Sequence, residues 1–136
     1  MMNNRTLGNS FETELCEILS SYGFWVHAMR QDNSGQPADI IAVRNKVSHL
    51  IDAKVCSDNK FPLSRVEENQ VLAMDLWHEC GNGCGWFALK LNKDSPDIYM
   101  ISHYIMQSFK DHVHSLSEED IIGYGTPIEK WVNKWK

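Results

Sequence analysis

Apolar residues return every three or four positions through Leu7, Phe11, Leu15, Ile18, Leu19 and Tyr22, and Gly23 follows as a stop, so residues 9 to 22 are expected to form an amphipathic helix. At 100° per residue the apolar stripe centres near Tyr22, with Glu12 and Glu14 on its borders and Glu17 facing away. FWVHAMR (24 to 30) reads as a strand and QDNSGQP (31 to 37) as a loop of turn formers. ADIIAVR (38 to 44) and VSHLIDAKV (47 to 55) read as a hairpin turning at Asn45-Lys46.

Beyond Pro62 the period becomes helical again through Val66, Val71, Met74 and Trp77, with Ser64 and Glu67 as a capping box, until glycines 81, 83 and 85 end it. GWFALKL and DIYMIS are two more strands around the turn Asn92 to Pro96. Residues 103 to 114 add a further helix, and Thr126, Pro127 and Glu129 open a short terminal one, IEKWVNKWK. The core order is helix, three strands, helix, two strands.

A chain of 136 residues, 43% hydrophobic and 23% charged, suits a single domain spanning 1 to 136, with a core over about 4 to 110 and a C-terminal helical appendage over about 111 to 136. No run approaches the roughly 18 apolar residues of a membrane span, and the polar opening MMNNRTLGNS lacks a signal peptide's apolar stretch, so a cytoplasmic location is expected. Four cysteines in such a chain are expected to be reduced thiols. A net charge of -5 argues against indiscriminate nucleic-acid binding but leaves room for a local basic groove.

The hairpin raises a question of charge. A turn about Asn45-Lys46 pairs residues whose numbers sum to 91, which sets Asp39 opposite Asp52, inside strands that otherwise look buried on both faces. Like charges directly opposite are destabilising. A hard divalent cation offsets them, because Mg²⁺ is held by one or two carboxylates together with waters and phosphate oxygens. Side chains alternate along a strand, so Lys54 shares the face of Asp52. Two acids, a cation and an ammonium group suit metal-assisted hydrolysis of a phosphodiester. Taken singly, an Asp/Lys pair at i, i+2 is more often a surface ion pair; the apolar surroundings of both acids weigh against that here.

Pro37-Ala38-Asp39 followed by Asp52-Ala53-Lys54 resembles the signature of the PD-(D/E)XK nuclease superfamily, and the element order agrees with its restriction-endonuclease-like α/β core, a mixed sheet flanked by helices. GNSFETEL (8 to 15) is similar to the acid-bearing helix of those nucleases. FPLSRVEENQVLAM (61 to 74), with "NR" at 4 to 5 and "RQ" at 30 to 31, resembles RecU-type Holliday junction resolvases of Gram-positive bacteria and their phages. The resemblance implies Asp39 and Asp52 as metal ligands, Glu12 as a further acid acting directly or through water, Lys54 orienting the attacking water, and Gln70 contributing from the second core helix. Arg30 and Gln31 would contact substrate, and Arg44, Lys60 and Arg65 are expected to contact phosphate beside the site.

The same resemblance implies an endonuclease using Mg²⁺ or Mn²⁺ that acts on four-way DNA junctions, working as a homodimer because symmetric cutting needs two sites related by a two-fold axis. The expected setting is a bacterial cell or phage-infected host, with no membrane and no nucleotide cofactor. Asp52 stands where the family usually has Glu, and Glu67 and Asn69 replace RecU histidines. The rival readings are a nuclease for ordinary duplex or other branched DNA, and a nuclease-fold module that binds DNA or protein without cutting.

Two further constellations attract attention. His78, Cys80 and Cys84 suggest zinc, but a structural site takes four ligands in paired short spacings, so a glycine-rich turn with incidental thiols is favoured. Ile128, Trp131, Val132 and Trp135 share one face of the terminal helix, with Lys130, Lys134 and Lys136 around it. Docking of that face on the domain is favoured over base stacking. His49, on the strand face opposite Asp52, is expected to be a core histidine.

Overall fold

The computed structural model describes residues 4–29 and 38–136. Helix α1 (Asn4–Ser21) begins five residues before the expected start and is followed by a turn at Gly23, whose φ of +93° is open to glycine without strain. Phe11, Leu15 and Leu19, each four residues apart, are buried, and Tyr22 is 38% exposed. The apolar stripe therefore centres on the i, i+4 row and not on Tyr22. Glu12 and Glu14 flank the row, half-buried, as expected.

Strand β1 (Trp25–Ala28) pairs antiparallel with β2 (Ile40–Arg44), and β2 with β3 (Val47–Val55). The β2–β3 register, Ile40 with Ile51 through Arg44 with Val47, keeps the sum of 91. Asn45 and Lys46 turn the hairpin with φ of 51° and 67°, the two left-handed residues that a type I′ turn requires. A two-residue strand β4 (Phe61–Pro62) and a 3-10 turn (Leu63–Arg65) lead into α2 (Glu68–Glu79).

α2 carries the chain back to β5 (Gly85–Lys90), which lies parallel to β3, and β6 (Ile98–Ser102) returns antiparallel. Gly85 faces Met74, whose side chain occupies the space a Cβ would need, so α2 seats closely on β5. α3 (His103–Lys110) follows; β7 (Ser115–Leu116) pairs with β4; α4 (Glu118–Tyr124), β8 (Thr126–Pro127) and α5 (Ile128–Asn133) complete the chain. The main sheet has six strands in the order β1-β2-β3-β5-β6-β8.

Alternation along β3 separates two apolar layers. Ile51 and Ala53 face α1 and α5, with Phe11, Leu15, Leu19 and Trp131; Leu50 faces the opposite layer, with Val71, Met74 and Met106 from α2 and α3. Trp131 and Val132 are fully buried, so the terminal helix docks on the sheet. Its start differs from expectation: Thr126 and Pro127 pair with Met100 and Tyr99 as β8, and Pro127 occupies the cap position. α4, absent from the sequence-based expectation, starts with a capping box of Ser117 and Asp120.

On the α2 layer His103 is buried and ties three elements together. Its Nδ1 accepts from the Gly85 N–H (2.9 Å), and its Nε2 lies 3.0 Å from Asp75 Oδ1, whose other oxygen accepts from Gln107 (3.0 Å).

Candidate active site

The acids meet at the C-terminal end of β3. Asp39 sits one residue before β2; its backbone N–H donates to the Ile51 carbonyl (3.0 Å), and its Oδ2 accepts from the Ala53 N–H (2.8 Å), between Asp52 and Lys54. Asp52 is 1% exposed, and its Oδ2 lies 3.3 Å from Lys54 Nζ. Burial first, then the charge of Asp39 and a hydrogen bond shared with it, push the Asp52 carboxyl well above the usual carboxylate range, against the opposing pull of Lys54. The Lys54 ammonium is the cation beside Asp52 Oδ2, an oxygen otherwise buried from water.

Gln70, buried in the first turn of α2, donates through Nε2 to Asp52 Oδ1 (2.9 Å), while its Oε1 accepts from the Glu67 N–H (3.3 Å). The capping box of α2 is therefore Glu67 with Gln70, not Ser64 with Glu67. Ser64 falls in the 3-10 turn, and extended backbone at Val66 and Glu67 delays the α-helix by a few residues.

The other expected contacts divide. Arg65 Nη1 donates to the Val55 carbonyl (2.7 Å), holding the end of β3 just past Lys54, and its guanidinium lies over Phe61. Lys60 is exposed, in the Ser57–Lys60 turn that follows β3. Arg44 lies at the other end of β2 from Asp39, roughly 17 Å along the strand, with its guanidinium over Phe24, so it does not flank the acids as expected. Arg30 and Gln31, with Pro37, lie outside the described residues.

Glu12 does not form with Asp39 and Asp52 a three-acid group that could hold a metal ion; its charge adds to burial in raising the Cys16 thiol. The helical period placed Glu14 on the border of the apolar stripe but did not reveal its partner. Its carboxylate pairs with Lys90 (2.5 Å), a cation on β5 set over the Phe11 ring, beside a cleft lined also by Ser10, Val55 and Lys93. A lone Lys in the apolar strand GWFALKL was the available signal.

Among the described residues no group of three or more His, Cys, Asp or Glu could hold a metal ion, His78, Cys80 and Cys84 of the glycine-rich turn included. Asn82 explains that turn: its side chain accepts from Ser48 (2.5 Å) and donates to the Trp77 carbonyl (3.0 Å). The Asp39–Asp52 pair does fit a hard divalent ion. Two carboxylates are what such an ion asks of a protein when phosphate and water complete its shell, and the charge of Asp39 acts on the buried Asp52 carboxyl.

The family model for archaeal Holliday junction resolvases (Hjc) matches residues 2–136. The chain belongs to the Hjc family. Its structure is similar to that of Archaeoglobus fulgidus Hjc, described as a Holliday junction resolvase from an archaeal hyperthermophile, with a TM-score of 0.71 and 17% identity over 92% of this chain and 99% of that one. No curated protein matches. Hjc membership makes the protein a nuclease that acts on Holliday junctions in recombination, within the PD-(D/E)XK superfamily and with the restriction-endonuclease-like fold.

The RecU-type assignment is thereby corrected, and the bacterial or phage setting tied to it loses its basis. The short signature shared across the superfamily reports the cleavage chemistry and carries little information on the branch. Hjc-family nucleases are in general divalent-metal dependent and act on junction DNA, typically as dimers. None of the described helices is long and apolar enough to cross a membrane.

Proposed function

We propose that this Hjc-family resolvase cuts four-way junctions with Mg²⁺ or Mn²⁺ held by Asp39 and Asp52, and that it works as a homodimer. The observation that carries the reading is the buried Asp52 carboxyl, which feels the charge of a second acid, Asp39, and holds the Lys54 ammonium 3.3 Å from its Oδ2. When bound, the ion supplies positive charge that offsets the paired acids, activates water and stabilises charge on the phosphate. Lys54 hydrogen-bonds the attacking water and balances the charge that develops on the phosphate oxygens as the P–O bond breaks. Gln70 holds Asp52 in place, and Glu12 acts through water from the α1 side. Lys60, Arg30 and Gln31 contact DNA, whereas Arg65 serves by fixing the end of β3.

The dimer is proposed through the α2 layer. Leu72 and Leu76 on α2 and Tyr104 on α3 are exposed apolar side chains. Trp25 is 62% exposed on the same layer, beside half-buried Ile41 and Val43, while the described helices of that layer, α2, α3 and α4, pack on β5 and β6. A helix ridge beside an open strand patch is self-complementary under a two-fold axis, and symmetric cutting of a junction needs such an axis.

The test is cleavage of a synthetic four-way junction and a matched linear duplex, with Mg²⁺ and with EDTA, by the wild type and Asp52→Ala. Paired symmetric nicks in the junction, lost with EDTA and in the variant, support the reading. Equal duplex cutting would favour the general nuclease, and no cutting under Mg²⁺ or Mn²⁺ would favour a binding module.

A further inference from the structure

We infer that Gln70 sets the metal preference of the site, selecting small octahedral divalent ions over Ca²⁺ by making Asp52 present one oxygen. The inference rests on the proposed role of Asp39 and Asp52 as ligands. Each carboxylate has an oxygen engaged by the protein: Asp39 Oδ2 accepts from the Ala53 N–H (2.8 Å) and Asp52 Oδ1 from Gln70 Nε2 (2.9 Å). Asp52 Oδ2 is the oxygen that Gln70 leaves to an ion, with the Lys54 ammonium 3.3 Å away as its neighbour.

Gln70 cannot relax this arrangement by turning its amide over. Its Oε1 accepts from the Glu67 N–H at the start of α2 (3.3 Å). A flipped amide would set NH₂ against that N–H and carbonyl oxygen against the Asp52 carboxylate, opposing like groups at both ends. The side chain is also buried, so water does not compete for either bond. The cap of α2 thus holds the amide, and the amide holds the plane of the Asp52 carboxylate.

Ions differ in what they accept from such a site. Mg²⁺ keeps near-ideal octahedral geometry, retains several waters and takes one oxygen from each of one or two carboxylates; Ca²⁺ takes six to eight oxygens and readily uses a carboxylate through both. With Oδ1 drawn toward α2, the site meets the first demand and denies the second. Loss of the Gln70 N–H frees Oδ1 and should let Asp52 chelate the larger ion.

The experiment is displacement of Mn²⁺ from the full-length protein by CaCl₂ or MgCl₂ without DNA, followed by the electron paramagnetic resonance of released Mn²⁺. Gln70→Met should improve Ca²⁺ relative to Mg²⁺ by about tenfold or more. Gln70→Leu likewise removes the donor to Asp52 without adding a charge or a ligand, so it should shift the ratio the same way and keeps the test alive should the Met variant fold poorly. An unchanged Ca²⁺/Mg²⁺ ratio in both folded variants overturns the inference. Asp52→Asn is the control: Mn²⁺ binding undiminished in that variant would instead remove the assignment of Asp52 as a ligand.

Discussion

The Oδ2 of Asp39 accepts the backbone N–H of Ala53 at 2.8 Å, so the acid that precedes β2 is fastened to the strand residue lying between Asp52 and Lys54. This bond makes Asp39 both a charge in the site and a clamp on its geometry, and two substitutions separate the roles. Asp39→Asn keeps an acceptor for Ala53 and removes the charge beside Asp52; cleavage should fall roughly 100- to 1,000-fold with melting temperature unchanged or raised. Asp39→Ala should lose cleavage equally and also about 1–2 kcal/mol of stability, as the Ala53 N–H loses its partner. Thermal melts in EDTA beside junction assays check both; equal melting of the two variants would mean that the clamp contributes nothing.

The hairpin shows why part of the site was readable from the sequence. Two-residue turns leave no freedom of register, so Asn45-Lys46 fixed the pairing as far as Ile40 with Ile51 and brought Asp39 close to Asp52, and period-two alternation placed Lys54 beside Asp52. The Gln70–Asp52 bond spans 18 residues and Glu14–Lys90 spans 76, and no local period reports such contacts. Ser64 satisfied the capping pattern as well as Glu67 did, and the choice was made by the extended backbone at Val66 and by the bond of Gln70 to the sheet. α4 was legible in Ser117 and Asp120 but is only seven residues long. Arg44 misled because nearness in sequence is not nearness in space when the chain between is extended.

Lys54 bears on chemistry more than on binding. It pairs with a single buried oxygen, and its side chain is only 18% exposed, which leaves it poorly placed to serve as a general phosphate contact. Lys54→Met, which keeps the apolar stem, should reduce single-turnover cleavage by roughly 100-fold or more. Junction affinity in the presence of Ca²⁺ should stay within about threefold, and its salt dependence should change by less than one phosphate contact. Cleavage at the wild-type rate would remove Lys54 from the mechanism.

Leu76 is 61% exposed on the ridge of α2, so a charge there costs the isolated fold little, within about 0.5 kcal/mol for an ordinary surface change. In a two-fold interface the same substitution places two carboxylates in an apolar contact. Leu76→Glu should therefore sediment as a monomer at concentrations where the wild type is a dimer, with an unchanged circular dichroism spectrum. The paired nicks of a junction should become single, uncoupled ones. A dimer that survives both Leu76→Glu and Trp25→Glu would place the interface on another face.

His49 is fully buried among Phe24, Trp86, Trp131 and Trp135, with neither ring nitrogen hydrogen-bonded. Burial away from water lowers its pKa from 6.5 to about 4, because nothing in the cage compensates an imidazolium. Above pH 6.5 the ring is neutral in folded and unfolded chains alike, and its contribution does not vary with pH. Between about 6.5 and 4 the unfolded chain takes up the proton and the folded one does not, so stability is lost as pH falls, by about 3 kcal/mol across the window; below 4 both forms are charged and the loss levels off. His49→Leu removes two unsatisfied nitrogens and should be at least as stable at pH 7.5. Urea unfolding at pH 7.5 and pH 4.5 should show the wild type losing more stability than the variant, whereas an equal loss in both would mean that the imidazole is protonated inside its cage of rings.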